Sequence, residues 1–204
     1  MFRNIVFDID GTLVDSRGIF KTSLFETLDH FGIDLGGRSP EAFFGMSVEQ
    51  TMTALQIRQR DAFRQEWEER FNRVSSRELL YPGVQELLEA LGEKGVRMAL
   101  LTSRNHATAD VFLKSSGLQP FFLGCIAADD TQHHKPHPQP LRLLMERYDF
   151  HIHDTLFVGD SPADMGCARA VGIPFALALW NCAAQGIPCD HPLTLPEQVL
   201  ALCK

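Results

Sequence analysis

The sequence predicts an α/β protein: a doubly wound, Rossmann-like parallel sheet with a small α-helical cap domain inserted near its start. Three observations carry this expectation. Short β-rich runs, apolar at nearly every position, alternate with helical runs, as buried parallel strands and their crossover helices do. Gly95, Gly117 and Gly172 stand where three helical runs stop. One stretch, from Ser16 to Leu80, interrupts the alternation with helical spacing and no convincing strand.

The elements follow in order. Asn4–Asp8, Arg97–Leu101, Gly124–Ala127, Thr155–Val158 and Phe175–Ala178 read as strands. Val84–Lys94, His106–Ser115, Pro138–Tyr148 and Pro162–Ala170 read as helices between them. Within the interrupting stretch, Val48, Met52 and Leu55 recur at helical spacing, as do Phe63, Trp67, Phe71 and Val74. Breaks are expected near Gly32, Gly36-Gly37 and Gly45. The core is therefore assigned to residues 1–15 and 81–204, and the cap to residues 16–80. The cap carries nine arginines and lysines against ten acids, so its cations read mainly as solvated helix faces paired with acids.

Composition narrows the function. The chain has 204 residues, 45% hydrophobic and 22% charged, with a formal charge of −7. That is ordinary globular composition, and the acidic balance argues against a nucleic-acid partner. No apolar run approaches the ~18 residues of a membrane span, and the N-terminus has no secretion pattern. A cytoplasmic protein is expected. The five cysteines, Cys125, Cys167, Cys182, Cys189 and Cys203, include no C-x-x-C pair and are expected as free thiols.

Chemistry concentrates in four loops, each directly after a predicted strand. Asp8-Ile9-Asp10-Gly11-Thr12 follows the first; two carboxylates two residues apart on extended chain point the same way, and Gly11 permits a sharp exit. Thr102-Ser103-Arg104-Asn105 follows the second, offering hydroxyls and free N–H groups at a helix start. His133-His134-Lys135-Pro136-His137-Pro138 follows the third, a loop stiffened by proline around one lysine. Gly159-Asp160-Ser161-Pro162-Ala163-Asp164 follows the fourth. Each has an ordinary explanation alone. The first is an acidic turn, Ser103 or Asn105 a helix cap, Lys135 a surface residue, and Ser161 to Asp164 a capping box. His133, His134 and His137 lack the partners a zinc site needs.

Together they say more. A doubly wound sheet gathers the carboxyl ends of its strands at one edge, where such folds bind ligands. Several carboxylates and a phosphate there repel by about 4 kcal/mol per pair at ~4 Å and an effective dielectric of ~20. A divalent cation offsets that repulsion, and an all-oxygen set favours Mg²⁺.

The ordered set resembles the haloacid dehalogenase (HAD) superfamily of phosphohydrolases, in its phosphoglycolate phosphatase-like branch with a helical cap. Asp8 to Thr12 is similar to the first motif, Thr102 to the second, Lys135 to the third, and Gly159-Asp160 through Asp164 to the fourth, over nearly the whole chain. The resemblance implies a phosphatase for a small phosphorylated metabolite such as a phosphoglycolate-like acid, a sugar phosphate or a nucleotide. It implies Asp8 as nucleophile forming an aspartyl-phosphate, and Asp10 as general acid and base. Asp8, the Asp10 backbone carbonyl and Asp160 would bind Mg²⁺, with Asp164 supporting the metal site from its helix turn. Thr102 and Lys135, with Ser103 and the Gly11 turn, would hold the phosphoryl group. Dehalogenases of this type lack the second acid, which Asp10 supplies here. Phosphonate hydrolases use a cap lysine, and Lys21 near the cap's start is a poor match. Sugar phosphomutases share core and cap, and a catalytically silent binding module shares the fold; both remain alternatives. Phe44, Gly45, Met46 and Arg104 are candidates for substrate specificity. Trp67, spaced with Phe63 and Phe71, reads as cap core. A monomer or homodimer is expected.

Overall fold

In a computed structural model, residues 1–75, 79–181 and 186–204 are described; Cys182, Arg77 and Glu78 lie outside them. The strands are β1 (Asn4–Phe7), β2 (Val14–Asp15), β3 (Leu79–Leu80), β4 (Arg97–Leu101), β5 (Cys125–Ile126), β6 (Thr155–Gly159), β7 (Phe175–Ala178) and β8 (His191–Leu193). The helices are α1 (Arg17–His30), α2 (Val48–Ala54), α3 (Arg60–Ser75), α4 (Val84–Glu93), α5 (His106–Ser116), α6 (Gln139–Tyr148) and α7 (Pro162–Val171).

Six strands form one sheet in the order β5-β4-β1-β6-β7-β8. Every pairing in it is parallel. The first strand lies inside the sheet, flanked by β4 and β6, because successive crossovers run to one side and then the other. Both faces are covered, which explains why the strand sequences are apolar at successive positions. Ile5, Phe7, Leu100 and Val158 pack on one face against Val84, Leu88 and Phe112. Val6, Ala99, Leu101 and Phe157 pack on the other against Leu141, Leu144 and Ala168.

The predicted helix ends hold to within a residue, and their caps explain why. Asn105, not Ser103, caps α5 by accepting from the Thr108 N–H at 3.0 Å. Gly117 and Gly172 close α5 and α7 in left-handed conformation, where a Cβ is costly. Ser161 and Asp164 form the expected reciprocal capping box, with Pro162 in the first turn.

Two expectations are corrected. The stretch from Ser16 to Leu80 does contain a strand: Leu79–Leu80 pairs antiparallel with Val14–Asp15 in a second, two-stranded sheet. Two residues per strand are too few to show alternation. The main sheet also has a sixth strand, His191–Leu193, whose Pro192 masks it as a loop but is tolerated on an edge.

Between β2 and β3, helices α1 to α3 pack around their own cluster of Phe20, Leu24, Met52, Leu55, Phe63 and Trp67. Trp67 is buried, and its indole N–H donates to the Ser23 hydroxyl at 3.1 Å. This layer lies against the carboxyl edge of the main sheet. Gln50 on α2 donates to the Lys135 carbonyl at 3.1 Å, and Asn105 donates to Glu68 on α3 at 2.7 Å.

Candidate active site

Five loops converge at the carboxyl edge. Asp8 leaves β1, Thr102 leaves β4, Lys135 lies beyond β5, Asp160 follows β6, and Asn181 follows β7. Asp8, Thr102, Lys135, Asp160, Asp164 and Asn181 are all buried.

Lys135 organises the centre. Its Nζ stands 2.7 Å from Asp8 Oδ1, 2.7 Å from Asp164 Oδ1 and 3.3 Å from the Leu101 carbonyl. Burial works against its charge, but the two carboxylates outweigh burial and hold it firmly protonated. The other oxygen of Asp164 accepts from the Ser161 hydroxyl at 2.6 Å and the Ser161 N–H at 3.1 Å. The capping box therefore also orients Asp164 toward Lys135.

Carboxyl oxygens of Asp8, Asp160 and Asp164 lie within 4.8 Å of one another. One lysine faces three buried acids, so the cluster is left short of positive charge. Burial accordingly pushes the Asp8 carboxyl up to about 7, against the pull of Lys135 and with Asp164 and Asp10 adding to it. Burial also raises Asp160 well above the ordinary range, reinforced by Asp164 and Asp8. The donors are all oxygen and the deficit is positive charge, so the residues fit a hard divalent cation.

Asp10 has a different environment. Burial pushes its carboxyl up, but Arg104 and Ser16 overcome this and hold it below the usual range. Arg104 grips it with two bonds, Nε to Oδ2 at 2.9 Å and Nη2 to Oδ1 at 2.6 Å. The Ser16 hydroxyl also donates to Oδ1. The Arg104 guanidinium lies 5.0 Å from the Phe71 ring centroid on α3 and 5.1 Å from that of Phe112 on α5. The predicted Arg104 thus stands on the edge of the cleft, buried and paired with the second acid of its first loop.

The first loop tolerates no side chain at Gly11. The glycine's φ is +81°, and a Cβ there would come within 2.0 Å of Asp160 Oδ2. Thr102 is buried, with its Oγ1 accepting from the Arg104 N–H at 3.1 Å. Ser103 lines the cleft between core and cap, as do Phe44, Gly45 and Met46 opposite. His133 and His137 stack on each other with centroids 4.4 Å apart. Among the described residues neither they nor His134 joins a metal-binding cluster.

Sequence reasoning missed three contributors. Asn181 donates from one amide nitrogen to Asp160 Oδ2 at 2.5 Å and to the Gly11 carbonyl at 3.0 Å. Trp180 donates to the Thr12 carbonyl at 2.9 Å. Ser16 reaches Asp10. Trp180 and Asn181 lie just past the last predicted strand, so the rule that strand ends gather at one edge had the means to find them.

The chain is similar to known proteins over most of its length. The chain is 27% identical over 184 residues to the pyrophosphatase PpaX of Oceanobacillus iheyensis, covering 88% of this chain and 84% of the relative. It is 30% identical over 182 residues to the phosphoglycolate phosphatase of Photorhabdus laumondii, covering 84% and 78%. The crystal structure of a Lactobacillus plantarum protein, to which phosphoglycolate phosphatase activity is ascribed, superposes with a TM-score of 0.89 at 30% identity over 99% of both chains. CbbY of Rhodobacter sphaeroides, crystallised with phosphate, shares the fold at a TM-score of 0.84 and 19% identity, over 98% and 96% of the two chains. Residues 5–178 match the haloacid dehalogenase-like hydrolase family, and the chain belongs to it.

Proposed function

We propose that this HAD-family hydrolase is a Mg²⁺-dependent phosphatase that cleaves a small phosphomonoester through an aspartyl-phosphate on Asp8. The observation that carries the reading is Lys135 Nζ at 2.7 Å from both Asp8 and Asp164, in a buried cluster that Asp160 completes. The relatives' names, a pyrophosphatase and a phosphoglycolate phosphatase, support phosphate-ester or anhydride chemistry.

Asp8, Asp160 and the Asp10 backbone carbonyl would hold Mg²⁺, with Asp164 supporting from its helix turn. Bound there, the ion neutralises the acids and draws charge from the phosphoryl oxygens. The Asp8 carboxylate attacks phosphorus, the alkoxide leaves, and the acyl phosphate is then hydrolysed; one hard displacement becomes two easier ones. Lys135 and Thr102, with Ser103 and the turn at Gly11, hold the phosphoryl oxygens as charge spreads over them. Arg104 and Ser16 hold Asp10 ionised in the free protein, so it has to take up a proton before it can deliver one to the leaving oxygen. It then takes one from the attacking water, and general acid–base help of this kind contributes about 10²–10⁴-fold. Arg104 and Ser16 fix where that carboxylate points. Residues 16–80 act as a cap that excludes water and faces the leaving group, turning about the two-stranded β2–β3 crossing.

The substrate is a small phosphorylated metabolite. Among the described residues no helix is long and apolar enough to cross a membrane. We place the protein in the cytoplasm, where such metabolites reside and thiols stay reduced. The test is phosphate release from phosphoglycolate, sugar phosphates, nucleotides and pyrophosphate, each with Mg²⁺ and with a chelator. Release that the chelator abolishes is expected. No release from any of them by folded protein overturns the reading.

A further inference from the structure

The cleft beyond Asp10 restricts what can leave. On the cap side it is faced by Phe44, Met46, Val48 and Phe71. All four are at least partly exposed, Met46 by 38%, with Phe44, Val48 and Phe71 resting on the cap's own cluster by their other side. Partly exposed apolar groups gathered around a reactive centre favour a ligand with apolar surface of its own.

The charges in the cleft favour such a ligand without a second anion. Among the described residues that line it, the charged ones are Asp10, Glu68 and Arg104. The one cation is already spent on Asp10 in a two-bond pair. Farther out, the groove is lined by Glu49, Glu68 and Asp129, with Arg64 as its arginine and His134 beside it. Arg64 is itself held by Glu49 at 2.5 Å and Asp61 at 2.8 Å. Arg17, on α1 beside the Phe44-Gly45-Met46 turn, lies 5.9 Å from the Phe44 ring with its Nε buried and without a hydrogen-bond partner, but it is not among the residues that line the cleft. A carboxylate or second phosphate on the leaving group would meet acids here, whereas Asn105, Ser103 and Glu68 can hydrogen-bond to neutral polar groups.

We propose that the preferred substrate is the phosphomonoester of a neutral, ring-bearing alcohol, its ring lying along Phe44, Met46, Val48 and Phe71, and that Glu68 disfavours leaving groups carrying a second negative charge. The proposal rests on the phosphatase reading above and narrows its substrate. It sets this chain apart from the activities for which its relatives are named.

The experiment is steady-state kinetics on the full chain with Mg²⁺. The matched probes are benzyl phosphate, 4-carboxybenzyl phosphate and ethyl phosphate, beside phosphoglycolate and pyrophosphate. Benzyl and 4-carboxybenzyl phosphate have similar intrinsic reactivity and differ in one charge. Benzyl phosphate is expected to exceed each of the other four in kcat/KM by about fivefold or more, the scale at which one apolar group or one repulsive charge discriminates. A smaller advantage over any of them overturns the proposal while leaving the phosphatase reading intact. No phosphate from any probe overturns both. Glu68→Gln, whose amide oxygen can still accept from Asn105, is expected to shrink the benzyl to carboxybenzyl ratio at least about threefold. An unchanged ratio removes Glu68 as its source and overturns that half of the proposal.

Discussion

Asn181 ties the loop after β7 to two others at once: one amide nitrogen donates to Asp160 Oδ2 at 2.5 Å and to the Gly11 carbonyl at 3.0 Å. It thereby fixes which face Asp160 turns toward Asp8 and holds the turn that carries Asp10. Outer partners of metal-binding carboxylates are typically worth about 10–100-fold in metal affinity. Asn181→Ala is expected to raise the Mg²⁺ concentration for half-maximal activity by about tenfold, while saturating Mg²⁺ restores most of kcat. A loss of kcat that Mg²⁺ does not restore would show that Asn181 acts otherwise.

Replacing Asp8, the proposed nucleophile, by asparagine removes one carboxylate oxygen while nearly keeping the shape of the side chain. It also removes a negative charge from a cluster with more acids than lysines. Turnover should disappear while the melting temperature stays level or rises. Parallel phosphate-release and thermal-melt measurements check this, and near-normal activity would sink Asp8 as nucleophile.

Lys135→Met should do the opposite to stability. It leaves Asp8 and Asp164 buried and facing each other without the ammonium that both contact at 2.7 Å. Breaking a buried pair by deleting one partner typically costs about 3–5 kcal/mol. Urea unfolding should show a loss of that size. Adding Asp8→Asn to the variant should recover part of it, because one of the stranded charges then goes.

The four loops of the candidate site were legible because each pairs a strand-like run with a polar break, and parallel topology does the rest. Asp8, Lys135 and Asp160 meet across the tertiary fold, with Lys135 and Asp8 127 residues apart in sequence. Their convergence follows from strand order alone. Strand β3 and strand β8 escaped because Leu79–Leu80 is too short for a period and Pro192 reads as a breaker. The Arg104–Asp10 pair escaped for a different reason. The sequence places Arg104 at the right edge, but whether a long side chain turns to solvent, substrate or a neighbouring acid depends on Phe71 and Phe112 closing around it. Phe71 belongs to the cap, so no local pattern contains that information.

Gln50 performs two tasks on the cap. Its carbonyl oxygen accepts from the Ser47 N–H at 2.9 Å, completing the cap of α2, and its amide donates to the Lys135 carbonyl at 3.1 Å. Gln50→Glu keeps the first and loses the second, since a carboxylate has no proton to donate. One hydrogen bond is worth about 0.5–1.5 kcal/mol, so cap closure should weaken by about 2- to 10-fold. A more extended scattering profile and a raised KM with little change in thermal stability are expected. An unchanged profile and KM would mean that this bond does not hold the cap.

A metal bound at the acid cluster would affect stability in a pH-dependent way, and the sign can be worked out. Burial raises Asp8 from 3.8 to about 7 in the folded chain, and Asp160 moves the same way. Between those values Asp8 holds more proton in the folded metal-free chain than in the unfolded one, so its contribution to stability falls as pH rises from 3.8 to about 7. Asp10, held low by Arg104, works in the other direction and gives stability that is lost as pH falls through its folded value. A divalent cation held by the cluster would replace the protons and remove the penalty for ionising Asp8 and Asp160. The melting-temperature gain from Mg²⁺ over chelator should therefore be small at pH 5 and larger at pH 8, following the ligand linkage RT ln(1 + [L]/Kd) with a Kd that falls as the acids ionise. Calorimetric scans at the two pH values measure it. A gain that is equal at both, or larger at pH 5, would show that the raised carboxyls are not the groups that bind the metal.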